Sequence, residues 1–311
     1  MPELAYLNGE FMPVSEAKVS IEDRGFQFGD GVYEVIVAYA GRLFLPEQHM
    51  HRLRRSAGAI GLDYPFDSAP LEPVIAEGLR RSGFRDALVY IQLTRGAAPR
   101  SHALPSGLKP TVVMTFKTLP VVPEALRERG LRVMTTTDMR WATCYIKAIT
   151  LLPNILARNE ALRRGYDDAI FVTKDGEVRE CTSANLFIAV EGELIIPPRT
   201  EAILHGVTQA FLLECAAGIG VPVREQAFNV AALRAADEVF MSGTTVECLA
   251  ITSVDGTPIA DGRAGPITKR LHEEFSRRVR EQTPGARPGR CPGGEKPLMA
   301  CLTGHNAMSN T

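Results

Sequence analysis

Of the 35 basic residues only seven are lysines, and six of those stand beside turn formers or charged and polar neighbours. Lys147 does not. It lies in Tyr145-Ile146-Lys147-Ala148-Ile149, just ahead of an apolar helix, where desolvation would lower its pKa and leave a neutral amine able to form a Schiff base. An amphipathic lysine snorkelling to the surface fits the same local sequence. Glu180 closes a strand in Val178-Arg179-Glu180-Cys181; a carboxylate there could hold a proton on a ring nitrogen, or be an exposed edge charge.

Several groups suit anions. Arg52 sits on the polar face of a helix and could bind phosphate or merely wet that face. Arg100-Ser101-His102 in a polar loop could present a planar fork and an imidazole to a carboxylate, or be solvated surface charge. Leu204-His205-Gly206-Val207-Thr208 opens a helix, so the N–H groups of Val207 and Thr208 point outward from a positive dipole end. Gly243-Thr244-Thr245 after a strand adds a second cluster of small donors, or is only a turn.

The elements that must position these residues are legible in the periodicities. Asn8-Gly9 marks a hairpin over 5–12, and a strand over 32–39 follows. Pro46 opens a helix whose apolar positions Met50, Leu53, Ala57 and Ile60 recur every three or four residues, with Gly61 placed to end it. A helix over 71–81 leads to strands over 87–94 and 111–116, with the polar loop 95–110 between them. The prolines of 118–123 suit an extended linker. Beyond it the pattern predicts a strand over 131–136 and a helix over 151–164 stopped by Gly165. A meander over 169–196, helices over 206–217 and 266–280, and strands over 238–242 and 249–254 follow. Without regular β-α alternation or a Gly-rich dinucleotide fingerprint, the class is α+β. The expected domains are 1–118 and 124–283, joined by 119–123. Residues 284–311, 9 of 28 Pro or Gly, read as a disordered tail.

Composition narrows the partners. With a net charge of −1 and no basic block, nucleic acid and anionic membranes are not expected. No stretch is long and apolar enough to span a bilayer, and the N-terminus lacks the features of a secretory signal. Six singly scattered cysteines show no zinc spacing and read as reduced thiols of a cytoplasmic protein.

Taken in order, Asp23-Arg24-Gly25-Phe26-Gln27-Phe28-Gly29-Asp30-Gly31-Val32-Tyr33-Glu34, the loop from Thr94-Arg95-Gly96 to Arg100-Ser101-His102, Ile146-Lys147, Glu180 to Asn185 and Gly206-Val207-Thr208 resemble the fold-type IV pyridoxal-phosphate aminotransferases, most of all their D-amino-acid branch. The resemblance runs from about Leu7 to Gln282. It implies a small N-terminal α/β domain and a larger pseudo-barrel domain that binds pyridoxal 5′-phosphate. It implies that Lys147 carries the cofactor and moves the substrate's α-proton, and that Glu180 keeps the pyridine nitrogen protonated. Arg52, Val207, Thr208, Gly243 and Thr244 would form the phosphate cup, with Gly243 standing where D-amino-acid members carry serine. Ser183, Leu204 and Trp141 match positions beside the cofactor. Tyr33, Arg100 and His102 match a substrate-carboxylate trap, the last two reaching the site from the other subunit of a homodimer. The implied reaction is ping-pong transfer of an amino group from a D-amino acid such as D-alanine to 2-oxoglutarate. Branched-chain L-amino-acid or (R)-amine transamination, and aminodeoxychorismate lyase activity, belong to the same fold. A protein that holds the cofactor without turnover is the reading of a different class.

Overall fold

Asn8 and Gly9 take φ of 49° and 115°, the left-handed pair that a two-residue hairpin turn demands. They fold β1 (Leu4–Leu7) back on β2 (Glu10–Pro13). This is a computed structural model, and it describes residues 3–286 and 288. Most of the expected tail lies outside the described residues.

The chain divides into two compact units. In the first, a short helix α1 (Arg24–Phe28) precedes β3 (Gly31–Tyr39), β4 (Arg42–Leu43), α2 (Pro46–Ala59), α3 (Glu72–Ser82), β5 (Ala87–Thr94) and β6 (Thr111–Thr118). The strands form a six-stranded antiparallel sheet in the order β2-β1-β6-β5-β3-β4. Val32 and Ile36 of β3 and Val89, Ile91 and Leu93 of β5 alternate onto one face, where Met50, Leu53 and Ala57 of α2 cover them. Each large side chain fully buried there contributes roughly 1.5–3 kcal/mol.

The second unit holds α4 (Glu124–Arg129), β7 (Leu131–Thr137), α5 (Leu152–Arg163), β8 (Asp168–Val172), β9 (Val178–Cys181), β10 (Asn185–Val190) and β11 (Glu193–Ile196). It continues through α6 (Val207–Gly218), β12 (Val223–Glu225), α7 (Val230–Ala235), β13 (Glu238–Gly243), β14 (Glu247–Val254), β15 (Thr257–Pro258) and α8 (Pro266–Gln282). Its nine-stranded sheet runs β12-β11-β10-β13-β14-β7-β8-β9, with β15 on β14. The antiparallel and parallel pairings are mixed, and the class is α+β. Among the described residues no helix is long and apolar enough to cross a membrane. The four described cysteines are free and buried.

One boundary differs from the expectation. Residues 144–151, placed by sequence in the second domain, belong to the first unit. The cause is main-chain pairing: Tyr33 N donates to Lys147 O at 2.9 Å, Ile149 N donates to Gly31 O at 3.1 Å, and Ala148 bridges Val32. Residues 282–286 join the same unit.

Asp23 anchors the start of this unit's polar loop. Its buried carboxylate accepts from Gly25 N at 2.8 Å, Thr94 Oγ1 at 2.9 Å and Thr111 Oγ1 at 2.6 Å, which caps α1 and ties the two strands flanking loop 95–110. Asp23→Ala strands two buried hydroxyls and is expected to cost about 2–4 kcal/mol, read as a lower urea midpoint at unchanged slope.

Candidate active site

In the first unit Lys147 stands in an irregular segment, its backbone fixed by the Tyr33 and Ile149 bonds and by donation from Lys147 N to Ser56 Oγ at 3.1 Å. Its side chain is half-buried, and Nζ lies 4.3 Å from the centroid of the Tyr33 ring. The strand register that aims Tyr33 thus also fixes the amine, on the negative face of an aromatic ring.

Arg52 is buried on α2, and its Nε and Nη2 donate to the two oxygens of Glu34 at 2.6 and 2.9 Å. Glu34 is fully buried and also accepts from His49 Nδ1 at 2.8 Å. Burial alone would raise the Glu34 carboxyl, but the Arg52 guanidinium and the His49 bond outweigh it and hold the group down to about 2. Burial also depresses His49 below its ordinary 6.5, so the neutral imidazole donates through Nδ1, a tautomer assigned from the bonding. Neither Glu34 nor His49 was identified from sequence. The signal was there: Val32, Glu34 and Ile36 share one face of β3, and a carboxylate on that apolar face requires a buried cation.

Arg100 and His102 are exposed, yet they are not loose. Phe28, the last residue of α1, has the guanidinium of Arg100 at 4.5 Å and that of Arg24 at 4.8 Å from its ring centroid. The His102 ring meets it edge-on at 5.7 Å. Arg24 also donates to Ser101 O at 2.6 Å and to Asp30 at 2.7 Å. Arg95 grips Asp30 at 2.8 and 2.9 Å and the carbonyls of Ile60 and Gly61 at 2.7 Å each. The loop is therefore pinned to α1 and to the end of α2.

In the second unit Glu180 is buried at the end of β9. Its Oε1 accepts from Arg140 Nη1 at 2.5 Å and Leu204 N at 3.2 Å, and its Oε2 from Asn185 Nδ2 at 3.1 Å. Burial pushes the carboxyl above its usual range, against the pull of Arg140. Asn185 also donates to Leu204 O at 2.7 Å, and a Cβ on Gly206 would stand 2.0 Å from Asn185 Oδ1. Only glycine fits there. α6 starts at buried Val207 and Thr208 behind Gly206, with no side-chain cap. A buried helix start whose first N–H groups lack intrahelical partners calls for an anion. Ser183 is exposed; Gly243 and Thr244 are partly exposed at the end of β13. A Cβ on Gly243 would lie 3.3 Å from Val246 Cγ2 and 3.6 Å from Ala184 Cβ, a tight but yielding fit.

A half-buried lysine, a buried carboxylate and an uncapped buried helix start are the groups that a pyridine aldehyde bearing a phosphate requires. Residues 31–254 match the model of the amino-transferase class IV family. The chain belongs to that family. It is 40% identical over 277 residues to a D-alanine aminotransferase of Bacillus licheniformis, covering 89% of this chain and 97% of that one. Among solved structures it is similar to a branched-chain aminotransferase of Thermoproteus uzoniensis with norvaline. The TM-score is 0.82 at 31% identity, covering 90% and 96% of the two chains. It is also similar to a branched-chain aminotransferase of Escherichia coli, with a TM-score of 0.81 at 28% identity, covering 88% and 93%. The fold is type IV, and the protein is a pyridoxal-phosphate-dependent aminotransferase that acts on amino acids and 2-oxo acids.

The Glu34 pairing makes this aminotransferase acid-sensitive. A carboxyl held at about 2 in the folded chain against 4.5 when free stabilises fully above the upper value, and that stability is lost as pH falls toward the lower one. Glu34→Gln should flatten this limb in urea titrations across pH and cost about 3–5 kcal/mol at neutral pH, because it leaves Arg52 without its buried counter-charge.

Proposed function

We propose that the protein transfers the amino group of a D-amino acid, with D-alanine as the reference substrate, to 2-oxoglutarate by a ping-pong cycle. The observation that carries this reading is the Arg100–His102 pair held on Phe28. It joins a planar double donor to an imidazole, a combination suited to a substrate carboxylate. The identity with a D-alanine aminotransferase supports it. The structural likeness to branched-chain enzymes keeps transfer from branched L-amino acids as the second reading.

Bound pyridoxal phosphate supplies an electron sink for the pair left at the substrate's α-carbon. Lys147 Nζ would hold the cofactor and serve as the base that moves the substrate's α-proton. Glu180 keeps a proton on the ring nitrogen. Ser183 and Leu204 would lie beside the ring, and the Leu204 N–H also orients the Glu180 carboxylate. The N–H groups of Val207 and Thr208 bind phosphate with Arg52, Gly243 and Thr244, and Arg52 is aimed by Glu34. Tyr33, Arg100 and His102 bind the substrate carboxylate.

We assign the working form as a homodimer in which Arg100 and His102 serve the partner's site. Their exposure supports this, as do Phe26, exposed over 71% of its surface, and Leu152, Ile155 and Leu156 of α5, each more than half exposed. Apolar surface of this kind marks an interaction face.

The test is amino transfer to 2-oxoglutarate from D-alanine and, separately, from L-leucine, read as pyruvate or 4-methyl-2-oxopentanoate formed. Activity with D-alanine alone is expected; activity with L-leucine alone would transfer the assignment to the second reading. Arg100→Ala is expected to raise the KM for D-alanine about tenfold or more with a smaller effect on kcat. Unchanged kinetics would remove Arg100 from the trap.

A further inference from the structure

Glu180 does not face its task alone. Arg140, which donates to it, is itself held by Asp138 through three bonds: Nε to Oδ1 at 3.0 Å, Nη2 to Oδ2 at 2.8 Å and the Arg140 backbone N to Oδ1 at 3.0 Å. The Arg140 guanidinium is also stacked 4.3 Å over the centroid of Phe171. Both Arg140 and Glu180 side chains are 6% exposed and that of Asp138 14%, so water screens these charges little.

The charges in this chain of ion pairs sum in a particular way. Arg140 alone against Glu180 would give a neutral pair, and a neutral pair holds a neighbouring cation only weakly. Asp138 cancels the arginine, and the three ionised groups together carry one net negative charge. Asp138 turns both oxygens to Arg140, while Glu180 turns Oε1 to it and Oε2 to the Asn185 amide. Arg140 meanwhile opposes the burial that drives the Glu180 carboxyl toward its neutral form. The two residues have separate effects: the arginine keeps the glutamate ionised, and the aspartate keeps the arginine from consuming the glutamate's charge.

We propose that Asp138 and Arg140 are positioning residues that, through Glu180, set the affinity of the second unit for a protonated ring nitrogen. This rests on the assignment of Glu180 to that nitrogen. It extends the assignment from Glu180 to the two residues that hold it.

The experiment compares binding of pyridoxal phosphate and of its analogue with carbon in place of the ring nitrogen to full-length apoprotein, by fluorescence titration. The readout is the ratio of the two dissociation constants, which a general weakening of the fold leaves unmoved. Wild type should prefer pyridoxal phosphate, and Glu180→Gln should lose that preference. Asp138→Asn should reduce it by about tenfold, since it leaves the guanidinium charge uncancelled. Arg140→Met, which removes the charge that opposes the burial of Glu180, should also lower it. Should Asp138→Asn not fold, Asp138→Ser makes the same charge change. If Glu180→Gln keeps the preference, the Glu180 assignment itself fails. If Glu180→Gln loses it but the Asp138 variants retain the wild-type ratio, or Arg140→Met does, the proposal is overturned while Glu180 stands.

Discussion

Two main-chain hydrogen bonds, from Tyr33 N to Lys147 O and from Ile149 N to Gly31 O, tie an irregular stretch of chain to the first residues of β3. Much of the first unit's chemistry depends on that seam. It fixes where the lysine leaves the backbone, and it puts the amine over the ring of the residue that supplies one of the two bonds. The next residue along the strand, Glu34, fixes Arg52. One strand, by simple alternation of its side chains, therefore sets the positions of an amine on one face and a guanidinium on the other.

The two units solve the same electrostatic problem with different surroundings. Each buries a glutamate against an arginine, Glu34 with Arg52 and Glu180 with Arg140. Yet the carboxyl is held far down in the first pair and pushed up in the second. Glu34 receives two guanidinium donors and an imidazole. Glu180 bonds a guanidinium that is shared with Asp138. Buried ion pairs are poor sources of net stability, but they are effective at holding a charge at one point, which is what a binding site needs.

Strands and helices with clear periodicity were legible in the sequence: the Asn8-Gly9 hairpin, α2, and the three strands 87–94, 111–118 and 131–137 emerge within a residue or two of their expected places. α1 escaped because five residues carry no period, and its only local sign is an Asp23 cap whose other two partners lie more than 70 residues away. α4, six residues just past the two prolines of the linker, is likewise too short to show a period. Lys147 and Glu180 stood out by residue type and surroundings, and the family resemblance supplied their roles. Arg140, Asp138 and Asn185 did not stand out, because an ion pair spanning 40 residues leaves no trace in spacing. Periodicity reports which face is buried, not which charges meet there.

Gly206 and Asn185 show what such packing means for the history of a sequence. With no room at 206 for even a methyl group, a change there must be preceded by a shorter side chain at 185. Asn185, however, is what ties Glu180 to the turn before α6. A change at either position therefore disturbs the bonds that hold the Glu180 carboxylate. Two positions well separated along the chain thus share one structural constraint.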